Sequence, residues 1–440
     1  MPKRRFEILP CFDGKGGWYN TLPAVPAPHR ILGRQNADWV VVGAGVTGLA
    51  AARRLAEHFP HQRIVVLDAS RVGLSASGGN GGFAIDLAHH QMGSSDEAIR
   101  EGQRVMRLNR FAVDRLSELI HTHRIDCAWE RRGMYQGAAT DIGRRHLHEM
   151  KEALERNGSA FETLSRNDLE TKLGTRFYHE AIFTPGTYLF QPAALVRGLA
   201  RCLPSNVELF EDSPVISADL GTVSTLECAN GSVRTPRLVI ATNGFTDAFG
   251  FLPRRSFNVM LYASLTRPLT DIELNRLGHA KNWGLTPAHP WGATIRLTQD
   301  NRIWLRTAYG YSPRMVSSDA KMASAYARHV SSFKARFPQL SEPPFQHTYA
   351  SAVCLTRNGE PFFGKLADNI FAAVFTSGVG VLKGTANGHL LADWAAGAES
   401  ELLTDARAYG HPNRVPPEPL LGWGVKMRMA WDLHRARGEL

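Results

Sequence analysis

Along the chain, the first uninterrupted apolar run is Trp39–Val42, and it meets a glycine turn at once. Beyond the turn, apolar positions recur three and four apart as far as Phe59, so strand, tight turn and helix are predicted in that order. "RIVVLDAS" is a second apolar strand. A glycine-dense stretch, "VGLSASGGNGGFAIDL", precedes helical spacing from about Ser95 to Arg124. The texture then changes to the strand-like "CAWERRGMYQGA", the helical "RRHLHEMKEALERNG" and the strand-like "HEAIFTPGTYLF". "QPAALVRGLARCL" is a helix, "VELFEDSPVISADL" reads as strands, and "RTPRLVIATNGFT" is an apolar strand running into a turn. From about Arg254 the pattern is β-rich, with "SFNVMLYASLTRPL", "GATIRLTQ" and "RIWLRTAYGY". A helix around "DAKMASAYARHVSSFKARF" precedes "HTYASAVCLTRNGEPFFGKL". The last unit, "NIFAAVFTSGVGVLKGTANGHLLADWAAG", is again strand, glycine turn and helix.

This alternation predicts an α/β fold in which a Rossmann-type domain is interleaved with a β-rich one. The Rossmann part is expected from residues 31–126, 190–251 and 351–410, and the β-rich part from 127–189 and 252–350. An extended arm, 1–30, rich in proline and small residues, would precede them, and a tail, 411–440, would follow. No internal repeat has a fixed period.

The first turn has its own chemistry. In Gly43-Ala44-Gly45-Val46-Thr47-Gly48 the first glycine turns the chain out of the strand, and Gly45 keeps side-chain atoms away from a pyrophosphate. Gly48 lets helix and strand approach, and the helix N-terminus offers free N–H groups to phosphate. Asp68 ends the second strand about twenty residues on, where an acidic group takes ribose hydroxyls. An adenine dinucleotide is expected here, and the turn alone leaves FAD and NAD both open.

Composition narrows the setting. With 440 residues, 43% of them hydrophobic, the chain can bury a large core. It has no apolar run of about twenty residues to span a bilayer and no apolar segment behind its charged N-terminus to act as a secretory signal. Cys11, Cys127, Cys202, Cys228 and Cys354 are scattered without metal-like spacing. Reduced thiols in a cytoplasmic protein, and no metal, are the expectation. The net charge of +10 comes from arginines spread in short pairs such as Arg53-Arg54 and Arg254-Arg255. Without a concentrated basic face, no nucleic-acid partner is expected.

Four motifs in order, "VVVGAGVTGLAAARRLA" with Asp68, "SASGGNGGF", "RLVIATNGFT" and "FTSGVGVLKGTANG", resemble those of the FAD-dependent oxidoreductases of the D-amino-acid oxidase group. Within it the chain is most similar to the γ-glutamylputrescine oxidase-like branch, whose "SGRNGG" loop and "ATNGYT" strand are close to what stands here. The resemblance, from about Asp38 to Gly397, implies a glycine-oxidase-like fold, a cofactor of non-covalent FAD, and oxidation of an amine or amino acid. Gly43, Gly45, Val46, Thr47 and Gly48 would hold the pyrophosphate, and Asp68 and Ala69 the ribose. Ser75, Ser77, Gly78, Asn80, Gly81 and Gly82 would run beside the flavin, with Asn80 as a hydrogen-bonding group. Val215 would sit at the adenine, and Ala241, Thr242 and Gly244 would close the nucleotide site. Gly378, Val379, Gly380, Val381 and Leu382 would bring a helix N-terminus to the flavin pyrimidine. Lys383 either adds charge there or points to solvent. Val379 stands where the related pattern has His, and Gly79 where it has Arg, so the γ-glutamylated substrate does not carry over.

In this family hydride passes from the carbon beside nitrogen to flavin N5, the imine hydrolyses, and O2 is reduced to hydrogen peroxide. Substrate-side candidates are Tyr262, Arg306 and Tyr309, which alternate on strand-like stretches with period two. Arg306 pairs with a substrate carboxylate, activates oxygen, or makes a salt bridge between domains. Trp283, His289 and Trp291 lie in a Pro- and Trp-rich segment, 282–297, that does not map onto the branch; they read as packed aromatics before a substrate cage. His89 and His90 read as helix-start histidines. Cys354 lies in a segment expected near the flavin, at a spacing unlike that of covalent attachment. The tail carries basic residues among Val425, Met429, Trp431 and Leu433, and packing on its own protein is favoured over contact with a membrane surface. A dehydrogenase passing electrons to a quinone or carrier is the alternative, followed by a tRNA-modifying flavoprotein.

Overall fold

The computed structural model describes residues 3–10, 16–88, 95–278, 281–340 and 342–440; Cys11, His89 and His90 lie outside them. A six-stranded sheet runs in the order 207–210, 64–67, 39–42, 238–240, 370–374 and 362–367. All its pairs are parallel except the last. Trp39–Val42, Ile64–Leu67, Leu238–Ile240 and Ile370–Val374 are buried along their whole length. That is why they read as continuous apolar runs: helices, among them Val46–His58 and Gly380–Ala396, pack on one face of this largely parallel sheet, and a five-stranded sheet that includes 217–219, 224–227 and 231–235 packs on the other. The chain leaves Trp39–Val42 for a neighbour on one side and later fills the other side. The crevice at the carboxyl end of this central strand is therefore a topological switch point.

An eight-stranded sheet follows the order 345–355, 257–266, 303–311, 294–297, 283–287, 134–138, 180–184 and 162–165. It is antiparallel except between 283–287 and 134–138. Its strand Phe345–Leu355 continues across 350/351, where the sequence pattern places a domain boundary. The expected helices form at Asp96–Thr122, Asp141–Arg156, Pro192–Arg201 and Asp319–Arg336. Among the described residues no helix is long and apolar enough to cross a membrane.

Both ends of the chain do more than lead in and out. Arg4–Arg5 pairs with Ser217–Ala218, and a short helix, Gly17–Asn20, buries Trp18. At the other end a helix, Leu420–Arg435, leads to a fully buried Glu439. The Glu439 carboxylate accepts from the backbone N–H of Ala139 and Thr140 (both 3.0 Å) and from Thr140 Oγ1 (2.8 Å). Arg336, also fully buried, donates to the carbonyls of Glu439 (2.7 Å) and Leu440 (2.9 Å). Glu439→Ala strands two backbone donors and a hydroxyl. It should cost about 2–4 kcal/mol and lower the thermal midpoint by several degrees, with Glu439→Gln recovering part; an unchanged melt would dismiss the clamp.

Candidate active site

A cavity of about 820 Å³ opens at the switch point and extends to the face of the eight-stranded sheet. Gly43, Gly45, Val46, Thr47, Asp68, Ala69, Ser75, Ser77, Asn80, Gly81, Val215, Ala241, Thr242, Gly244, Gly378, Val379, Gly380 and Val381 line it, together with Arg306 and Tyr309. Gly48, Gly78, Gly82, Leu382, Lys383 and Tyr262 do not. The missing glycines act one layer back. A Cβ on Gly48 would lie 1.7 Å from the Gly43 carbonyl oxygen, and one on Gly78 2.0 Å from that of Gly73.

Two helices start at this cavity, Val46–His58 and Gly380–Ala396, and neither N-cap residue supplies a capping side chain. Two partially positive helix ends in one cavity, the first with its Val46 N–H on Ser77 Oγ (3.2 Å), suit a ligand with two separate sites of negative charge. A pyrophosphate and the pyrimidine edge of a flavin are such a pair, so the residues present fit FAD. Asp68 accepts from the N–H of Ala44 (2.7 Å) and Ser70 (2.9 Å), while burial pushes its carboxyl up. Asn243 takes a left-handed backbone, and its Oδ1 accepts from the N–H of Phe375 (2.9 Å) and Thr376 (3.2 Å), tying two turns of the site together. Lys383 stays off the cavity lining. Its Nζ turns back to the Thr376 carbonyl (3.2 Å). Gly384 and Gly388 pack the two helices together at Thr47.

The loop 79–82 is held from outside. The Gly79 carbonyl accepts from Tyr349 Oη (3.2 Å) and the Asn80 carbonyl from Trp18 Nε1 (2.8 Å). Those of Gly81 (3.0 Å) and Gly82 (2.9 Å) accept from Arg296, which also donates to Phe190 O (2.7 Å). Asn80 turns its side chain into the loop itself, donating to Ser77 O (2.6 Å) and accepting from Gly82 N (2.9 Å). Four successive carbonyls are thus engaged by side chains far away in sequence, which fixes the loop beside the cavity. Gly79 abuts Ser351 and Tyr349 so closely that a Cβ would come within 2.9 Å of Ser351 Oγ. Burial lowers the Arg296 pKa to about 9. Arg296→Met leaves its carbonyls short of donors and should cost about 3 kcal/mol, read in a melting curve. It should also weaken FAD uptake in a titration, and unchanged uptake would deny Arg296 its positioning role.

On the sheet face, Val259, Leu261 and Ala263 line the cavity, so the intervening Tyr262 points away. Its hydroxyl accepts from Ser317 (3.1 Å), and it packs with Met260, Ala308 and Ala325. Strict alternation would separate Arg306 from Tyr309. A β-bulge breaks the register where Tyr262 faces Ala308 and Ala263 faces Arg306, and it returns both side chains to the cavity face. Arg306 donates to Tyr309 Oη and Thr294 Oγ1. It makes no ion pair among the described residues. Burial raises the Tyr309 pKa. Segment 282–297 forms strands Trp283–Pro287 and Thr294–Leu297. Trp291, between them, lines the cavity against Tyr309 with ring centroids 4.8 Å apart, whereas Trp283 and His289 are buried. Cys354 lines the cavity too, and burial pushes its thiol up to about 12. Trp18, Arg296, Trp304 and Tyr349 are functional candidates that sequence patterning passes over, because each looks like an ordinary core residue.

The sequence profile of the family described as FAD dependent oxidoreductase matches residues 38–394. The chain is 26% identical over 387 residues to a probable oxidoreductase OrdL of Haemophilus influenzae, covering 84% of this chain and 85% of the relative. It is 27% identical over 378 residues to gamma-glutamylputrescine oxidoreductase of Escherichia coli, covering 84% and 86%. Glycine oxidase from Geobacillus kaustophilus superposes with a TM-score of 0.71 at 17% identity, over 87% of this chain and 100% of that one, which shows a common fold.

Proposed function

Since the chain belongs to the FAD-dependent oxidoreductase family, whose members act on C–N bonds, we propose that it is an oxidase of an amino acid or other carboxylate-bearing amine. The carrying observation is Arg306: a guanidinium inside the cavity, met by two hydroxyls and by no carboxylate among the described residues. Such a group is suited to receive an anion from the substrate. In this reading the segments 31–126, 190–251 and 351–410 hold FAD and the sheet of 127–189 and 252–350 holds the substrate. The candidate FAD residues keep the roles assigned from the motifs, with Gly48, Gly78 and Gly82 acting as supports.

Bound FAD would supply the two-electron acceptor for hydride from the carbon beside the amine nitrogen. This chain's residues do the rest. Arg306 and Tyr309 anchor the carboxylate. Val259, Leu261, Ala263 and Trp291 exclude water, which favours the neutral, reactive amine over its ammonium form. The N-terminus of Gly380–Ala396 stabilises negative charge. In this reading FAD is held without a covalent bond, and Cys354, the cysteine among the cavity-lining residues, has its thiol pushed up by burial, which makes it a poor nucleophile. Cytoplasmic placement fits the free thiols of Cys127, Cys202, Cys228 and Cys354.

The purified protein should be yellow, bleach without air on one amino acid of a panel, and recover its colour in air with release of hydrogen peroxide. Bleaching without recovery in air would replace the oxidase by a dehydrogenase. A protein that takes up no FAD would overturn the reading altogether.

A further inference from the structure

The helix Leu420–Arg435 has two unlike faces. Leu421, Val425 and Met429 pack on Val259, Tyr309, Tyr311 and Trp291, so this helix backs one wall of the cavity. Its opposite face is bare: Leu420 is 57% exposed, Trp423 61%, Met427 69% and Trp431 61%. At 3.6 residues per turn these four, with Gly424, Ala430 and the exposed His434, share about a third of the circumference. Lys426 borders that arc on one side, and Arg428 and Arg435 border it on the other. The acids offset them only at Arg428. Asp432 is buried and paired with Arg428 (2.7 Å), and Glu439 is buried in its clamp. Every exposed ionisable side chain between 420 and 440 is therefore basic.

We propose that this helix docks the protein, lying flat, on the surface of an anionic lipid bilayer. Two exposed tryptophans and a methionine on one arc are apolar groups of the kind that enter the headgroup boundary, and the cations on both edges meet lipid phosphate. A second copy of the chain is the competing occupant, and charge disfavours it. An isologous pairing of this face would set Lys426, Arg428 and Arg435 against their own equivalents, on a chain of net charge +10.

The test is co-sedimentation of the FAD-loaded full chain with vesicles of phosphatidylcholine, with and without phosphatidylglycerol. Two variants accompany it, Trp423→Ser/Met427→Ser/Trp431→Ser and Lys426→Glu/Arg435→Glu. Their FAD content and melting temperature verify the fold, since all five positions are exposed. Wild type should pellet with the anionic vesicles. Binding should drop about tenfold or more on neutral vesicles, in high salt and in either variant. Wild type that stays in solution, or a triple variant that pellets equally well, overturns the proposal. So does a dimer in sedimentation velocity that the triple variant converts to monomer without any lipid binding, which would assign the face to self-association. Loss of oxidase activity is not read in this assay, so it stands or falls apart from the proposed reaction.

Discussion

Gly48→Ala protein is expected to purify without flavin colour, its FAD affinity reduced about hundredfold or more, roughly 2.7 kcal/mol. The reason is a contact, not a propensity. In a helix, alanine for glycine ordinarily stabilises by about 0.5–1 kcal/mol. At Gly48 the new methyl would sit 1.7 Å from the Gly43 carbonyl oxygen and 3.4 Å from Ala241 Cβ. Backbone cannot yield there as a flexible side chain would. The helix must retreat from the strand, and its free N–H groups leave the place where phosphate would meet them. Gly424→Ala provides the contrast: it lies in a helix with nothing within 4 Å of the added carbon. That variant should keep its colour and melt no lower than wild type. Absorbance of the purified proteins, FAD titration of the stripped forms and circular dichroism decide the matter. A yellow Gly48→Ala protein of wild-type affinity would show that helix and strand tolerate separation, and would remove the phosphate role from this turn.

The contrast marks what a sequence can reveal. Gly43, Gly45 and Gly48 were legible because their constraint is local: strand, turn and helix follow one another within ten residues. The same holds for the parallel strands, whose burial on both faces leaves a continuous apolar run. Trp18 and Arg296 were not legible. Trp18 is bonded to a carbonyl 62 residues away, and Arg296 to one 215 residues away. A buried arginine in "GATIRLTQ" gives no sign that it faces carbonyl oxygens and no acid. The error at Tyr262 has another origin. Period two is sound along an unbroken strand, but Tyr262 belongs to the face opposite Leu261. Arg306 and Tyr309, three apart, meet only because a bulge inserts one residue between their positions. Bulges leave no dependable composition signal, so period two cannot explain why Arg306 and Tyr309 both line the cavity. The arm was legible as extended. That Phe6, Ile8 and Pro10 line the cavity depends on the pairing of Arg4–Arg5 with Ser217–Ala218, which no local pattern announces.

Arg306→Met is expected to lower kcat/KM for the preferred carboxylated substrate about a thousandfold, roughly 4 kcal/mol, and to do so mainly through substrate binding and alignment. The fold should survive. Arg306 has hydroxyl partners and no buried carboxylate to orphan, and Tyr309 Oη keeps an acceptor in the Gly292 carbonyl (3.2 Å). Arg306→Lys keeps the charge but loses the planar fork that reaches Tyr309 and Thr294 together, so it should recover only part of the rate. The comparison that gives the result its meaning is the same amine without its carboxylate. If Arg306 anchors that group, wild type should already handle the decarboxylated amine poorly, and Arg306→Met should leave its rate nearly unchanged. Anaerobic reduction and reoxidation by oxygen, followed separately by flavin absorbance, divide the remaining possibilities. A variant reduced at the wild-type rate but slow to reoxidise would make Arg306 the cation of the oxygen step. A variant unaltered in both steps would withdraw Arg306 from the mechanism, and with it the argument that the substrate carries an anion.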